Sequence, residues 1–477
     1  MKLLWLDLNS SYAHSSLALA AIHAQAAGED GVEWTKVSAT INSNVGSVVA
    51  DVVAERPDVV AATAWLFTHE VLLKIVERVK ALLPDCVVIL GGPEMLGDNE
   101  TYLRRHVSVN CVFRGEGETG FHEWLRVWNR PVAWEGVKGL CWVDGGGAYH
   151  DGGMAKVEAF ERLEAPERSR FFDWSKPFVQ LETTRGCFNT CAFCVSGAEK
   201  PVRALPVERV RERLRVIRAH GIRDVRLLDR TFNGSSRRAV ELLTLFREFA
   251  GEMRFHLEIH PALLSSEVKA LIEELPAGLL HLEAGIQSLR EEVLRACRRA
   301  GDLSAALEGL RFLASLPNVV VHADLIAGLP FYTLRQMVED VRTLASFGTG
   351  EIQLELLKLL PGTAMRRNAG ELGIVYSPDT PYEVLRTREM SVDDLRHARL
   401  LSRLIDGFYN AGVWQRVTRR LILCDVGFLP AFLAWMEDRE LLEQPLSLEK
   451  RGLLLYEFCG ERYPAFLDEI SVAWVLA

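Results

Sequence analysis

Six short apolar stretches, each followed by an amphipathic helical pattern, constrain the fold of this 477-residue chain more than any other feature. Strand–helix units repeated in this way are typical of a barrel-type parallel sheet, with its functional site at the carboxyl ends of the strands. Six units, where a complete barrel has eight, predict an open, partial (β/α)6 barrel over residues 178–370. The predicted strands are 178–182, 225–229, 255–259, 280–285, 319–326 and 351–357.

The first 128 residues also alternate between strand and helix patterns, with predicted strands at 2–8, 58–64, 86–90 and 109–113. This order predicts a doubly wound, Rossmann-like α/β domain that binds its ligand beyond the carboxyl ends of the strands. The loops after these strands are polar or glycine-rich, and glycine lets a backbone approach a bulky ligand closely. No Gly-x-Gly-x-x-Gly follows the first strand, which argues against a dinucleotide site.

Two other patterns complete the chain. Residues 129–177 contain clustered glycines and predict a hairpin and a linker. From residue 371 to 477 the strand alternation stops, and long stretches rich in Leu, Arg and Glu predict a helical C-terminal region. We expect this region to cover the open edge or the mouth of the partial barrel.

Composition limits the cellular setting. A hydrophobic content of 49% with 25% charged residues predicts a globular protein with an ample core. No apolar run approaches the roughly 18 residues of a membrane span, and residues 1–7 become polar too early for a signal peptide. Nine cysteines without a secretory signal favour a reducing, cytoplasmic location. The net charge of −9 argues against a large nucleic-acid surface.

Three cysteines on a loop after the first predicted barrel strand carry the strongest chemical signal: Cys187, Cys191 and Cys194. A four-iron cluster normally takes four thiolates, so three leave one iron open to a substrate or cofactor. A zinc site or a set of buried thiols is the alternative, but zinc usually takes four Cys or His ligands. The other six cysteines are scattered singly, mostly among apolar residues, as is typical of core packing.

The spacing Cys-x3-Cys-x-aromatic-Cys, with Phe193 as the aromatic residue, resembles the signature of the radical SAM superfamily. The resemblance implies that the three cysteines bind a [4Fe–4S] cluster, which makes them both the catalytic and the metal-binding residues. It also implies that the open iron chelates S-adenosylmethionine (SAM). One electron from the reduced cluster then cleaves the sulfonium to give a 5′-deoxyadenosyl radical.

Five further residues follow predicted strands in the order of the family's SAM-binding motifs. Asp229 is similar to the polar residue near the methionyl amino group, and Glu258 to the acidic residue near the ribose. Gln287 is similar to a residue that reaches the ribose, and Asp324 to one that meets a ribose hydroxyl. Arg299 resembles the residue that pairs with the SAM carboxylate, which a guanidinium suits because it can bond both oxygens.

The first domain resembles the cobalamin-binding module of the large cobalamin-dependent branch of this superfamily, and the order of the two domains matches. In that branch, two glycine-rich loops contact the corrin and its nucleotide tail. The resemblance therefore implies cobalamin contacts from Gly91, Gly92, Pro93, Glu94, Gly115 and Glu116.

The chain departs from the better-known Asp-x-His-x-x-Gly and Ser-x-Leu motifs of cobalamin modules. Asn9 stands where the cobalt-ligating His would be, three residues before Tyr12, and Thr63-Ala-Trp65 replaces Ser-x-Leu. We expect bound cobalamin to lack an imidazole from position 9, with Trp65 or a neighbour covering the lower cobalt face. For His14 in the same loop, a hydrogen-bonding role is favoured over a ligand role.

Together these patterns predict a cobalamin-dependent radical SAM enzyme that methylates an unactivated carbon. One alternative keeps the radical chemistry but catalyses a rearrangement, cyclisation or redox reaction, with cobalamin in another role or absent. A further alternative is a cluster-bearing redox or regulatory protein. The expected partners are a small-molecule or peptide substrate and an electron donor such as flavodoxin or ferredoxin, with no membrane involvement.

Overall fold

A seven-stranded sheet forms the centre of the N-terminal domain in the computed structural model, which describes residues 1–14, 16–26 and 31–475. Its spatial order is β2-β1-β3-β4-β5-β6-β7, with β1 to β5 parallel and the last two strands antiparallel. The strands are β1 (Lys2–Asn9), β2 (Glu33–Thr40), β3 (Val59–Thr63), β4 (Val87–Gly91), β5 (Cys111–Phe113), β6 (Leu140–Val143) and β7 (Tyr149–Asp151).

Helices cover both faces of this sheet, as a doubly wound domain requires. They are α1 (Leu17–Ala24), α2 (Val45–Ala54), α3 (His69–Leu82), α4 (Asn99–Arg105) and α5 (Gly117–Leu125). Successive residues of β1 alternate between the two cores, because side chains along a strand point to opposite faces. Leu4 packs with α2, α3 and α4, whereas Trp5 packs with α1 and α5. The doubly wound prediction is confirmed.

Two features of this domain differ from the sequence prediction. Strand β2 and helix α2 were not predicted. The strand lacks a clear apolar signal, because it lies at the sheet edge and carries mostly polar residues in the sequence Glu-Trp-Thr-Lys-Val-Ser-Ala-Thr. The glycine-rich hairpin was predicted as part of a linker. Its strands β6 and β7 instead extend the N-terminal sheet, since β6 pairs antiparallel with β5.

Six parallel strands form the predicted partial barrel, in the order β8-β11-β12-β13-β14-β15. Two short strands, β9 (Thr184–Arg185) and β10 (Arg203–Ala204), form a separate ladder after the first barrel strand. The barrel strands are β8 (Phe178–Leu181), β11 (Asp224–Leu227), β12 (Arg254–Ile259), β13 (Leu280–Gln287), β14 (Val319–Ala327) and β15 (Glu351–Leu356).

The helices between these strands pack on the outside of the barrel, and each predicted strand lies within about two residues of its observed position. They are α6 (Val207–Ala219), α7 (Ser236–Arg247), α8 (Ser266–Glu274), α9 (Glu291–Ala296), α10 (Leu303–Ser315) and α11 (Leu334–Phe347). Their apolar faces join the buried side chains of the strands in one large core.

The C-terminal region is mainly helical, as predicted, and shares that core. It contains α12 (Ala364–Arg367), α13 (Ala369–Leu372), a hairpin of β16 (Val375–Tyr376) and β17 (Val384–Arg386), α14 (Val392–Leu404), α15 (Gly412–Cys424), α16 (Phe428–Glu437), α17 (Leu448–Arg462) and α18 (Leu467–Val475). Among the residues that the structure describes, no helix is long and apolar enough to cross a membrane.

The C-terminal helices cover the exposed edge of the barrel at β15. A π-helical turn (Ile405–Tyr409) follows α14 and places Asn410 beside the strand. The Ile352 N–H donates to Asn410 Oδ1 at 2.9 Å, and Asn410 Nδ2 donates to the Ile352 carbonyl at 2.9 Å. One side-chain amide therefore occupies the place of a neighbouring strand, which prevents the edge from pairing with another chain.

Candidate functional site

The three cysteines lie on the loop between β9 and β10, which follows the first barrel strand. In this ladder, Thr184 pairs with Ala204 and Arg185 pairs with Arg203. The ladder closes the base of a loop that spans residues 186–202, which we call the cluster loop. The cluster loop thus starts at the carboxyl end of β8, where a parallel barrel places its functional residues.

Backbone hydrogen bonds fix the cluster loop at both sides. Gly186 has a φ of +89°, and a Cβ there would lie 2.5 Å from the Glu199 carbonyl, so only glycine fits. The Ala192 N–H donates to the Cys297 carbonyl at 2.8 Å, and the Ala192 carbonyl accepts from the Met365 N–H at 2.8 Å. The loop is therefore bound to the segment after α9 and to the turn after β15.

The thiols of the cluster loop lie near one another in partly buried positions. Burial raises the pKa of Cys191, the Arg299 guanidinium opposes that shift, and the neighbouring Cys194 and Cys187 add to it. Within the described part of the chain, no three His, Cys, Asp or Glu side chains surround a single point closely enough to hold one metal ion. A cuboidal cluster makes a different demand, because each thiolate binds a different iron. Three neighbouring cysteine thiols are suitable donors for such a cluster.

A second group of predicted residues converges around Gly285 on β13. A Cβ at this position would lie 2.7 Å from Gln287 Nε2, 3.6 Å from Arg299 Nη2 and 3.9 Å from Asp324 Oδ2. Gln287 adopts a φ of +72°, at a point where the register between β13 and β14 shifts. Arg299 donates to the Gly285 carbonyl, and its Nη1 lies 3.6 Å from Cys191 Sγ. We call the space around Gly285, between these three side chains, the pocket. Arg299 therefore connects the cysteine site to the pocket.

Carboxyl groups line the wall of the same pocket. Asp324 Oδ1 is buried without a hydrogen-bond partner among the described residues, and burial raises the pKa of this carboxyl well above its usual value. Burial also raises the pKa of Glu258 to about 7, with a smaller contribution from Glu283. Glu283, which was not predicted, shares a hydrogen bond of 2.9 Å with the His256 ring. Glu283 interacts directly with the Asp324 carboxyl and adds to the rise of its pKa. The Asp324 Oδ1 atom that is left without a partner fits a residue that awaits a ligand hydroxyl.

Asp229 lies two residues after β11 and binds the chain that leads into the cluster loop. Its carboxylate accepts hydrogen bonds from the Thr183 N–H at 2.7 Å, the Thr183 hydroxyl and the Thr184 N–H at 2.9 Å. The side chain is 1% exposed. These bonds occupy both oxygens, so the observed role of Asp229 is to hold the chain between β8 and the cluster loop. Thr231, two residues later, has its hydroxyl 3.8 Å from Cys187 Sγ.

At the carboxyl edge of the N-terminal sheet, the predicted loops after β1 and β3 present exposed aromatic rings. Tyr12 is 77% exposed and Trp65 is 38% exposed. Thr63, at the end of β3, is buried. Asn9 donates from Nδ2 to Asp7 Oδ1 at 3.1 Å. Large rings left open at adjacent strand ends fit the face of a corrin, because such rings bury much apolar area against a flat ligand.

His14 is engaged within the loop after β1. Its Nδ1 lies 2.7 Å from the Ser11 hydroxyl, and its ring packs edge-on against Phe178 at 5.6 Å between centroids. Phe67, which was not predicted, is 58% exposed and lies under the Lys358 ammonium at 5.7 Å. Its sequence signal was its place after β3, two residues beyond Trp65.

The two glycine-rich loops contact other parts of the protein. Gly91 ends β4, and Gly92 packs against Thr63, the last residue of β3. Pro93 begins a short 3-10 turn that contains Glu94, and Glu94 Oε2 accepts from the Tyr382 hydroxyl at 2.7 Å. This loop therefore binds the segment that follows the barrel.

The loop after β5 contacts the linker and the cluster loop. Gly115 pairs with the backbone of Ala155. Glu116 accepts hydrogen bonds from Arg203, at the end of the cluster loop, and from the Val157 N–H at 2.6 Å. The sequence did not predict these contacts, because Arg203 lies 87 positions from Glu116 in the chain.

Comparison with protein families divides the chain in the same order as the fold. Residues 181–344 match the radical SAM superfamily, and residues 6–125 match the B12 binding domain. Residues 370–470 match a protein family of unknown function, DUF4080. The first two families together imply a [4Fe–4S] cluster, SAM and cobalamin as cofactors.

Individual relatives cover most of the chain at low identity. The uncharacterized methyltransferase PH0819 of Pyrococcus horikoshii is 21% identical over 319 residues, which is 65% of this chain and 68% of the relative. The cobalamin-dependent radical SAM methyltransferase TokK of Streptomyces tokunonensis is 23% identical over 388 residues. That match covers 72% of this chain but spans only 54% of TokK.

A solved structure shares the fold over nearly the whole chain. The cobalamin-dependent S-adenosylmethionine radical enzyme OxsB superposes with a TM-score of 0.70 at 13% identity, covering 98% of this chain and 80% of OxsB. The domain order, the half-barrel and the cysteine loop agree with the two matching families. The chain therefore carries a domain of the radical SAM superfamily, preceded by a B12 binding domain.

Proposed function

We propose that this protein is a cobalamin-dependent radical SAM methyltransferase that acts on an unactivated carbon. The observation that carries this proposal is the position of Arg299, which contacts both Cys191 Sγ and the pocket around Gly285. In this proposal the Arg299 guanidinium binds the carboxylate of SAM, and the neighbouring Cys191 Sγ binds the cluster. The relatives named as methyltransferases support the proposal that a methyl group is transferred.

Each residue of the pocket has a binding or positioning role in this proposal. Gln287 and Asp324 bind the ribose hydroxyls, and Glu258 lies beside them as a further acceptor or donor. Asp229 holds the chain before the cluster loop through Thr183 and Thr184. When bound, the reduced cluster supplies the electron that cleaves SAM, and cobalamin carries the methyl group.

Trp65, Tyr12 and Phe67 provide the apolar surface against which cobalamin packs. Their rings are exposed in the loops that follow β1 and β3. Cobalamin bound there would be shielded from water on the side that these rings cover. The proposed electron donor is a protein such as flavodoxin or ferredoxin. The substrate is a small molecule or peptide, and the enzyme acts in the cytoplasm.

The test uses full-length protein purified without oxygen and supplied with iron, sulfide and cobalamin. Incubation with SAM and a chemical reductant should yield 5′-deoxyadenosine, detected by mass spectrometry. SAM labelled in its methyl group should then transfer label to protein-bound cobalamin. Absence of 5′-deoxyadenosine with a fully loaded cluster would contradict the radical SAM assignment.

A radical reaction without methyl transfer is the second candidate. It is favoured by one observation: Glu94 and Glu116, which the resemblance assigns to cobalamin, bind Tyr382 and Arg203 of this chain instead. In this case 5′-deoxyadenosine forms, but no label reaches cobalamin. The label distribution therefore separates the two candidates in one experiment.

A further inference from the structure

The ladder that closes the cluster loop places two like charges directly opposite each other. Arg185 on β9 is the register partner of Arg203 on β10. Like charges at directly opposed positions of an antiparallel pair destabilise the pairing. Negative charge beside the two arginines therefore stabilises the base of the cluster loop.

Two carboxylates of the N-terminal domain supply that charge. Glu118 Oε1 accepts from Arg185 Nη2 at 2.5 Å, with the two side chains only 9% and 13% exposed. Glu116 accepts from both terminal nitrogens of Arg203, with Nη1 to Oε2 at 2.8 Å. Arg185 Nη1 lies 3.5 Å from the same Glu116 oxygen, so Glu116 lies between the two guanidinium groups.

The carboxylates are themselves fixed in place. Glu116 is the N-cap residue of α5, and Glu118 lies in the first turn of the same helix. A helix N-terminus favours negative charge. Burial alone would raise the pKa of Glu116, but Arg203, the Val157 N–H and Arg185 together hold it below its usual value. Glu116 is therefore ionised at neutral pH.

The barrel holds Arg185 from the other side. Glu182, just after β8, accepts from Arg185 Nε and Nη2, each at 2.8 Å. The guanidinium also lies 4.6 Å from the centre of the Phe160 ring, in the linker. Arg185 is thus the point at which the barrel, the linker and the N-terminal domain meet, two residues before Cys187.

We propose that Glu116 and Glu118 of the cobalamin-binding domain clamp the base of the cluster loop through Arg203 and Arg185, and so act as positioning residues for the iron–sulfur cluster. This rests on the proposed function only in that the loop holds a cluster. It assigns Glu116 to the cluster loop in place of the corrin contact that the family resemblance implies.

The first test compares Glu116→Gln and Glu118→Gln, which preserve side-chain shape, in the reconstituted holoenzyme. We expect chelator-driven loss of iron to be at least about ten-fold faster, since a buried ion-pair network is disrupted. The midpoint potential of the cluster should rise, because two arginines near it lose a compensating charge. Cobalamin retention should be unchanged. Glu100→Gln is the matched control, since Glu100 pairs with Arg104 in an exposed position of the same domain.

The second test is a rescue. Arg203→Gln introduced into the Glu116→Gln variant removes the charge that faces Arg185, so iron retention should return towards that of the wild type. A double variant that loses iron faster than the single variant would overturn the clamp. The clamp would also be overturned if both single variants had the same rate of iron loss and the same midpoint potential as the wild type, whether or not cobalamin binding falls.

A third measurement does not depend on any cofactor. In the cluster-free protein, hydrogen–deuterium exchange across residues 186–202 should be faster in Glu116→Gln than in wild type and in Glu100→Gln. Equal exchange in all three proteins would contradict the clamp. If the wild type acquires no cluster, the proposed function fails, while this exchange experiment still decides the clamp.

Discussion

At the residue scale, the same side-chain type takes different roles according to what lies opposite it. Asp324 keeps a buried oxygen free for a ligand, whereas Asp229 uses both oxygens to bind the backbone before the cluster loop. Asp324 lies near the carboxyl end of β14 and Asp229 lies two residues after β11, so the sequence motif alone does not distinguish their roles. The hydrogen-bond partners separate them, since a buried carboxylate without donors is unstable unless a ligand or proton satisfies it.

Replacement of Cys187, Cys191 and Cys194 by Ala is expected to abolish cluster binding and SAM cleavage. Three thiolates are one fewer than a four-iron cluster usually takes, so none is dispensable. Iron analysis and the yield of 5′-deoxyadenosine measure the effect. Cys424→Ala serves as the control, because Cys424 is an exposed free cysteine outside the loop. Full iron content in the triple variant would refute the assignment.

Arg299→Lys is expected to weaken SAM binding by about ten-fold or more, because a lysine ammonium cannot reproduce the two parallel bonds of a guanidinium. Equilibrium binding of SAM to the reconstituted protein measures the loss. The adjacent Arg298→Lys is the control, since Arg298 is exposed. Equal affinity in Arg299→Lys and wild type would show that Arg299 does not bind the carboxylate.

Glu258→Gln is expected to stabilise the cofactor-free protein at pH 8 but not at pH 5. The pKa of Glu258 is raised to about 7, chiefly by burial. A carboxyl with a raised folded-state pKa binds its proton more tightly when folded, so stability is lost as pH rises from its unfolded pKa through its folded pKa. Gln has no proton to lose and avoids this loss, which amounts to about 1–3 kcal/mol. Urea unfolding at both pH values tests this, and an equal effect at both would contradict it.

At the element scale, edges and loops decide how the half-barrel is completed. A six-stranded parallel sheet has two open edges, at β8 and β15. The N-terminal domain approaches the β8 edge, where Lys176 donates to the Tyr12 carbonyl at 2.6 Å and His14 packs on Phe178. The C-terminal helices cover the β15 edge. Each flanking region therefore protects one edge of the barrel.

Asn410→Ala is expected to lower the free energy of unfolding by about 2 kcal/mol, because the N–H and carbonyl of Ile352 lose their partner at the covered edge. Both bonds measure 2.9 Å. Thermal or denaturant unfolding of the cofactor-free protein measures the change. Gln444→Ala is the control, since Gln444 is exposed and bonds only the Glu440 carbonyl of its own segment among the contacts that the structure describes. A change as small as that of the control would contradict the edge-capping role.

At the scale of the whole molecule, two glycine-rich loops of the first domain connect it to the rest of the chain. Glu94 binds Tyr382 beyond the barrel, and Glu116 binds Arg203 at the cluster loop. These contacts place the aromatic loops of the first sheet in a fixed relation to the cluster loop. Transfer of a group between two cofactors requires such a fixed relation, because a misplacement of about 1 Å costs about 100-fold in rate.

Bound cobalamin is expected to lack nitrogen coordination from the protein. Asn9 is bonded to Asp7, and the His14 ring is engaged by Ser11 and Phe178. Electron paramagnetic resonance of the cob(II)alamin form should therefore show no nitrogen superhyperfine splitting from an axial ligand. Clear axial nitrogen coupling would point to His14, and Asn9→His should introduce coupling as the positive control.

The sequence by itself determined the local elements and predicted the chemistry of the cysteine site. Apolar periodicity located all six barrel strands, and the spacing of Cys187, Cys191 and Cys194 identified the cluster loop. Both signals are local, since strand formation and loop composition depend on neighbouring residues. The edge strand β2 was not predicted from the sequence, because its side chains are mostly polar.

Only the tertiary structure decided which charged side chains bind distant parts of the protein. Glu116 meets Arg203 across 87 positions, and Tyr382 meets Glu94 across 288. A carboxylate is ionised and bonded to whatever donor the fold brings within about 3 Å. That partner depends on how distant elements pack, which a short local motif does not encode.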